Sequence, residues 1–495
     1  MTGIPQTRFA RLASFLVSSS LLVGCAVGPN FHQPKAPTID LQTVRPVDLS
    51  AQASGPAGGV QTLTPGADIS ADWWSLYQSP ALNALIEKAL KHNSDLAAAK
   101  AALKGAKETY LAQLAVFLPT VDVGASTSRN KSSTYLSPVL NASQFYYNLQ
   151  TAQVNVGYTP DVFGGLRRQT EGVKAAEDLQ RFQTQAVYVT LTANVVTAAI
   201  QAASLREQVK AQEAVIEDEK RILAIMRRKL ETGEVAQADY LAQVSALAQA
   251  QQSLPPLRKA LQQENDLLAY LVGEPPSDKV SEGLTLANLD LPRKLPLSLP
   301  SALVEQRPDV RQAEANLHGA SAAVGVAIAA RLPSLTLSGA AGGSSNLWKD
   351  IFNSSNSAWS LGAGITQPIF EGGALYHRQK AAEAGLVQAK EQYRSAVLAA
   401  LQNVSDTLAA LDADAAALDS AALAKKSADE TLAIVRRQLE VGQVSGVELL
   451  NAEQAERQAE LSLVQAQASR FSDTAALFQA LGGGWWNAAK PLFAD

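Results

Sequence analysis

Two stretches of the chain, from about Leu166 to Glu231 and from about Ala374 to Glu440, keep a heptad seam for longer than a compact domain can accommodate. In the second, Val397, Leu401, Val404, Leu408, Leu411, Ala415 and Leu418 alternate spacings of four and three, and Leu432, Val435 and Leu439 resume the pattern. Leu179, Phe182, Ala186, Val189, Ala193, Val196, Ile200 and Ala203 do the same in the first. At ~1.5 Å per residue each run makes a helix roughly 100 Å long, which suits a rod that must span a distance. Both rods close on one motif, RRKLETGEV at 227–235 and RRQLEVGQV at 436–444. Gly233 and Gly442 stand where a left-handed C-terminal residue is favoured, behind arginines that suit the negative end of a helix. Ser445 and Glu448 then form an S-x-x-E capping box for a returning helix, whose seam reads Val447, Leu450, Gln454, Arg457, Leu461, Val464, Ala468, Phe471, Ala475 and Phe478. Each half is therefore expected to contain an antiparallel helical hairpin, with Pro255-Pro256 kinking or breaking the first returning arm.

The repetition extends beyond the tips. FLPTVDV (117–123) matches RLPSLTL (331–337), DVFGGLRR (161–168) matches PIFEGGALYHR (368–378), and LLAYLVG (267–273) matches LFQALGG (477–483). The offsets stay between 207 and 214, which marks a tandem duplication of about 200 residues. Pro119 and Pro333 each follow helical sequence and open an alternating one, as expected of helix-to-strand switches. Each half thus reads helix, strand, strand, very long helix, turn, long helix.

The strands alternate in polarity. Val154, Val156 and Tyr158 fall on one face and Asn155 on the other, while Trp359, Leu361, Ala363 and Ile365 alternate with Ser360, Gly362, Gly364 and Thr366. Alternation over about ten residues fits a transmembrane β-strand, apolar toward lipid and small or polar toward a lumen. A half-buried strand of a soluble sandwich alternates in the same way; the segments near 119–131 and 333–343 keep the period in more Gly/Ser-rich sequence.

The beginning of the chain favours the membrane reading. Arg8 and Arg11 precede an apolar run from Leu12 to Val23, too short to span a bilayer, which ends in LVGC at Leu22–Cys25. This looks like a bacterial lipobox, in which the cysteine is acylated and becomes the mature N-terminus. Cys25 is the only cysteine, so no intrachain disulfide forms. Ala26 follows it in place of an inner-membrane retention Asp, which favours the outer membrane, and 26–70, rich in Pro, Gly, Ser and Thr, reads as an extended tether. Beyond the signal no run of 18 apolar residues occurs, so spanning segments are expected to be strands. Four strands cannot close a barrel and an open edge is not tolerated in lipid; three copies, with twelve strands and twelve helical segments, are the smallest plausible closure. The formal charge of −4 argues against nucleic acid as a partner.

Together with the tips, the two LP[TS] switches and the lipobox, DWWSLYQSP (72–80), LNALIEKALKHNSDL (82–96), SALVEQRPDVRQAEANL (301–317) and ALGGGWW (480–486) make the whole mature chain resemble the TolC-like outer membrane factors, in their acylated, OprM-like, NodT-type branch. The resemblance implies a mainly α fold with a transmembrane β part: a long antiparallel coiled-coil α-helical barrel continuing a β-barrel of twelve strands, four per protomer of a homotrimer. It implies a duct that exports small molecules delivered by an inner-membrane pump, of the proton-driven RND type, through a periplasmic adaptor. N-acyl and S-diacylglycerol lipid on Cys25 would be the sole non-protein group. Adaptor contact would fall on Gly233, Glu234, Val235, Gly442, Gln443 and Val444. Gating would fall on Arg227, Arg228, Asp239, Tyr240, Arg436, Arg437, Glu440, Glu448 and Asn451, through Arg-to-carboxylate pairs between neighbouring hairpins. Asn451 departs from the pattern: it stands in LLNAEQ where related chains carry an acidic residue, with Glu448 and Glu453 close by.

The resulting layout is a signal peptide (1–24), a lipid-anchored tether (25–70), a first equatorial helical part (71–118), a first β-hairpin (119–163) and a first helical hairpin (164–272) with its tip near 233. A linker (273–298), a second-repeat helix (299–332), a second β-hairpin (333–370), a second helical hairpin (371–481) with its tip near 442, and a tail (482–495) complete it. Two other readings use the same parts: a type I outlet for secreted proteins, and a lipoprotein scaffold without a pore. An enzyme is not expected, because no phosphate-loop, zinc-protease or nucleophile-elbow motif occurs and His32, His92, His318 and His377 are scattered. Gly482-Gly483-Gly484 reads as a helix terminator.

Overall fold

The computed structural model describes residues 26–35, 49–53, 55–131, 146–276, 280, 283–297 and 304–488. The signal stretch and Cys25 lie outside them. The described chain is mainly α with a β part and divides into two units. Its strands are β1 (Ser50–Ala51), β2 (Gly59–Val60), β3 (Thr62–Pro65), β4 (Thr120–Lys131), β5 (Tyr146–Tyr158), β6 (Lys294–Leu297), β7 (Ser334–Ser345) and β8 (Ser357–Thr366).

The first unit comprises, of the described residues, 26–33, 104–131, 146–179 and 313–393. It holds an antiparallel sheet in the order β4-β5-β7-β8, in which the β5–β7 pairing joins the hairpin of one half to that of the other. The register stacks Val121, Val156, Gly339 and Leu361 in one row, and Val123, Val154, Ala341 and Trp359 in the next on the same face. The opposite face carries Asp122, Asn155, Ala340 and Ser360. From the row of Leu335 to that of Gly343 the less polar face runs about 27 Å along the strand, close to the apolar height of an outer membrane. Among the described residues no helix of the unit covers that face: Val123 is 82% exposed and Leu361 80%. Beside the sheet, the start of the long helix Gly165–Glu231 meets helix Pro308–Ala329 through small residues, with Gly172 facing Ala322 and Gly319 facing Ala175.

The stretch expected to be an extended tether is tied down at several of its described residues. Within the first unit, Val27 N–H donates to Phe163 O at 3.1 Å. The buried Arg168 donates to Val27 O (3.1 Å), Gly28 O (3.4 Å) and Asn30 Oδ1 (2.6 Å), and pairs with Glu171 at 2.7 Å. Phe31 stacks on His318 with ring centroids 4.3 Å apart. Gly28, at φ +93, is so close to Gly325 that a Cβ would lie 2.4 Å from its Cα.

The second unit holds the described residues within 34–103, 180–312 and 394–488. Its core is built from the DWWSLYQSP segment: Trp73 stacks on Phe478 at 5.0 Å, and the Tyr77 hydroxyl donates to Phe471 O at 2.8 Å. Ser79 caps helix Pro80–His92, whose Leu82, Leu85, Ile86 and Ala89 are buried. β3 and β6 pair in parallel, and β1 and β2 form a two-stranded turn beside them in sequence. That turn is wrapped around Arg470, fully buried on the returning helix Gly446–Ala480. Its guanidinium donates to Leu49 O (2.7 Å), Ala57 O (2.8 Å), Gly59 O (2.9 Å) and Gln61 Oε1 (3.3 Å).

The rods appear as helices Gly165–Glu231 and Ala374–Glu440, each 67 residues long, with returning helices Gln237–Leu271 and Gly446–Ala480. The first return does not break: helix continues through Pro255 and Pro256. The first rod does contain an 18-residue stretch apolar enough to cross a membrane by length and composition, a property the sequence reading missed. It is 67% buried inside the chain, as expected of a core seam. Gly482, Gly483 and Gly484 all have positive φ and end the second return, with Gly483 N–H reaching back to Phe478 O at 2.9 Å.

Asp414, on the second rod, faces Asp473 on its returning helix, with Arg470 near Asp414 and Asp419, and Tyr77 near Asp473. Burial, reinforced by Asp473, pushes the Asp414 carboxyl up to about 7 against the pull of Arg470. A carboxyl raised on folding binds more protons in the native than in the unfolded chain, so its contribution is complete below about pH 4 and is lost as pH rises through about 7. Thermal melting of the detergent-extracted protein should fall by a few degrees between pH 5.5 and 8. Asp414→Asn should flatten that difference; an unchanged difference would exclude this carboxyl as its source.

Candidate functional site

The two tips fold alike because their sequences place glycine at the same point of the last turn. At the first, Gly233 (φ +78) sends its N–H to Leu230 O (3.1 Å) and Glu234 N–H reaches Lys229 O (2.8 Å). At the second, Gly442 (φ +74) bonds Leu439 O (3.1 Å) and Gln443 N–H reaches Gln438 O (2.8 Å). Both are Schellman closures, in which only glycine adopts the left-handed residue without strain. Ser445 and Glu448 form the full capping box after the second tip, whereas Ala236 begins the first return with no side-chain cap. Gly446 lies 3.9 Å from Met226 of the first rod, measured from the position a Cβ would take, so the two hairpin ends of one chain are side by side.

The residues expected to meet the adaptor are presented outward: Gly233, Glu234, Gly442 and Gln443 are exposed, and Val235 and Val444 are half-buried. Arg227, Arg228, Arg436, Arg437, Glu440, Glu448 and Asn451 are exposed, and Asp239 and Tyr240 half-buried. Within one chain these gate candidates do not pair across hairpins. Arg227 pairs with Glu231 of its own helix at 3.4 Å, Glu448 is used by the cap of Ser445, and Arg436 reaches Glu453 of its own hairpin at 3.3 Å. Arg228, Arg437, Asp239 and Glu440 form no ion pair among the described residues.

Polar contact between the hairpins lies farther from the tips, on residues not expected from the sequence to be functional. Glu219 is buried in phase with Gln212, Val215 and Met226, and accepts from Arg457 at 2.7 Å. Arg457 and Gln454 occupy seam positions in the second return where an apolar residue is the rule, and that breach of pattern was the available signal. Desolvation raises the Glu453 carboxyl above its ordinary value, opposed by Arg436 and Arg457. No group of His, Cys, Asp and Glu suited to a metal occurs among the described residues.

The other functional surface is the sheet. Its outer strands, β4 and β8, each have one edge without a strand partner among the described residues, and its two faces differ in polarity. Such edges complete a ladder with further strands, and in lipid they must do so.

A family model described as outer membrane efflux protein matches residues 85–274 and 299–483, one match in each half. The chain is 30% identical over 424 residues to the pyoverdine export outer membrane protein OpmQ of Pseudomonas putida, covering 83% of this chain and 88% of that one. It is 27% identical to the solvent efflux pump outer membrane protein SrpC of Pseudomonas putida, over 94% of this chain and 96% of that one. Among solved structures, the outer-membrane channel OprN superposes with a TM-score of 0.81 at 26% identity, covering 93% of this chain and 100% of that one. The Campylobacter jejuni CmeC outer membrane channel shares the fold, with a TM-score of 0.83 at 22% identity over 94% and 97% of the two chains.

Proposed function

The chain belongs to the outer membrane efflux protein family, and from that premise we propose that three copies close into one duct through the outer membrane and periplasm, exporting small molecules handed over by an inner-membrane pump through a periplasmic adaptor. The observation that carries this reading is the four-stranded sheet with two open edges and one apolar, uncovered face. Edge β8 of one copy pairs with edge β4 of the next, and three such joints leave none open. The rods continue the duct inward, and their tips dock the adaptor through Gly233, Glu234, Val235, Gly442, Gln443 and Val444. Acyl chains on Cys25 hold each copy to the membrane, and the pump is a proton-driven RND transporter. Relatives named for pyoverdine export and solvent efflux favour small molecules over secreted proteins.

Expression with its adaptor and pump in an efflux-deficient host tests the reading. Accumulation of a dye exported by that pump should fall only when all three proteins are present. Unchanged accumulation, together with secretion of a protein through the same trio, would favour the type I outlet instead. In the trimer the gate candidates gain partners from the next copy. Individual exposed pairs contribute only about 0–1 kcal/mol, so the gate depends on their repetition around the ring. Neutralising Glu440 and Glu448 together should raise the conductance of the trimer in planar bilayers about two- to fivefold, the effect of losing about 0.5–1 kcal/mol of closure. Unaltered conductance would remove the acidic tip residues from the gate.

A further inference from the structure

The less polar face of the sheet is not smooth. In two successive rows β7 presents Gly339 and Ala341, while β5 on one side presents Val156 and Val154 and β8 on the other presents Leu361 and Trp359. A strand of small residues between two bulkier ones leaves a furrow, and a cavity of about 480 Å³ lies there, lined by these residues together with Tyr158 and Leu337. From the row of Tyr158 and Leu337 to that of Val154 and Ala341 it runs ~14 Å along the strands. One leaflet takes up about half of a ~30 Å hydrocarbon core, so the furrow is about as long as one acyl chain reaches into a bilayer.

The residues that follow Cys25 are fixed near the mouth of this furrow. Beyond Tyr158 the chain soon reaches Gly164 and the rod that starts at Gly165, which sets this end of the furrow at the periplasmic side. Gly164, at φ +78, is so close to Ala26 that a Cβ on it would lie 2.5 Å from the Ala26 Cα. Val27 N–H donates to Phe163 O at 3.1 Å, and Val27 O accepts from Arg168 at 3.1 Å. An anchor that only had to hold a lipid somewhere in the leaflet needs no such fixing. Holding Ala26 and Val27 at the foot of β5 decides where the acyl chains of Cys25 enter the membrane. A furrow left empty costs its walls their dispersion contacts. Free lipid that fills it gives up lateral and conformational freedom, whereas a chain attached at the mouth has already lost the first.

We propose, on the acylated-channel reading above, that an acyl chain of the Cys25 lipid lies in the furrow of the same protomer, over the joint between β5 and β7. The lipid is then a packed part of the sheet where the two halves of the chain meet, as well as an attachment to the membrane. Its floor is Gly339 and Ala341, and its walls are Val154 and Val156 on one side and Trp359 and Leu361 on the other.

Photo-crosslinking tests this. A fatty acid carrying a diazirine near its terminal carbon, fed to the expressing host, enters the Cys25 lipid and the phospholipids alike. Outer membranes are irradiated, the trimer is isolated, and its digest is read by mass spectrometry. The expected product is an acylated Cys25 peptide joined to a peptide that carries 154–158 or 339–341, recovered from chains that run as monomers after denaturation. In Gly339→Val, whose side chain fills the furrow, this product should fall about fivefold or more, and adducts between the Cys25 lipid and phospholipid should rise in its place. If the Cys25 lipid of the parent is joined only to phospholipid, ordinary membrane lipid fills the furrow and the seat is refuted. A product found only in covalent dimers would place the chain on a neighbouring copy and refute it equally, as would an undiminished product in Gly339→Val. Should that variant fail to reach the outer membrane, Ala341→Val is read in the same way, and an undiminished product there refutes the seat. A Cys25 without acyl chains, or a protein that forms no trimer, would overturn the acylated-channel reading and the seat with it. An acylated trimer joined to phospholipid alone overturns only the seat.

Discussion

Arg470→Ala is expected to release residues 49–61 from the second hairpin and to leave a trimer that melts far below the parent or does not assemble. Four acceptors, Leu49 O, Ala57 O, Gly59 O and Gln61 Oε1, take their bonds from this one guanidinium. The side chain is fully buried. Each unsatisfied buried group costs about 1–3 kcal/mol, and loss of a buried charge beside Asp414 and Asp419 adds to that, so a penalty on the order of 3–5 kcal/mol per protomer is a conservative reading. Limited proteolysis gives the direct readout: the variant should be cut between 49 and 61 under conditions that leave the parent whole. Arg470→Lys should rescue only in part, since an ammonium has three donors for four acceptors spread around the turn. Equal resistance in Arg470→Ala would mean that the turn is held by its own pairing of β1 with β2.

Leu361→Lys and Ser360→Lys are expected to differ sharply although the residues are adjacent. Leu361 lies in the row of Val121, Val156 and Gly339 on the uncovered apolar face, and Ser360 in the row of Asp122, Asn155 and Ala340. A lysine toward mid-bilayer costs about 2–4 kcal/mol, paid three times in a trimer, whereas one toward a wet lumen costs little. Leu361→Lys should therefore abolish the outer-membrane trimer, and Ser360→Lys should assemble and shift the channel toward anions. Trimer yield on semi-native gels and reversal potential in a salt gradient separate the two. Equal assembly of both would show that neither face is turned to lipid.

What could be read in advance was local. Heptad spacing exposed the rods and returns because a coiled-coil seam repeats over a few residues, and Gly233 and Gly442 marked the tips because a Schellman closure needs a left-handed residue within one turn. The strands showed for the same reason, through a period of two. What escaped was long-range. Arg470 is separated by 421 positions from Leu49, and Arg457 by 238 from Glu219, and nothing in either neighbourhood announces the partner. The Pro- and Gly-rich stretch after Cys25 reads as a tether by composition. Yet Arg168 and Arg470 each satisfy several of its carbonyls, and that is how a segment without a hydrophobic pattern becomes part of a core. Pro255 and Pro256 are expected to kink or break the first return, and the helix is not broken: it runs through them. Arg457 did leave a trace, as a charge at a seam position.

The duct depends on three copies completing what one chain leaves open. Native mass spectrometry of the protein extracted from outer membranes in mild detergent tests that most directly. It should give a trimer whose chains each begin at an acylated Cys25. A monomer or dimer as the largest stable species would leave β4 and β8 without partners in lipid and would contradict the duct.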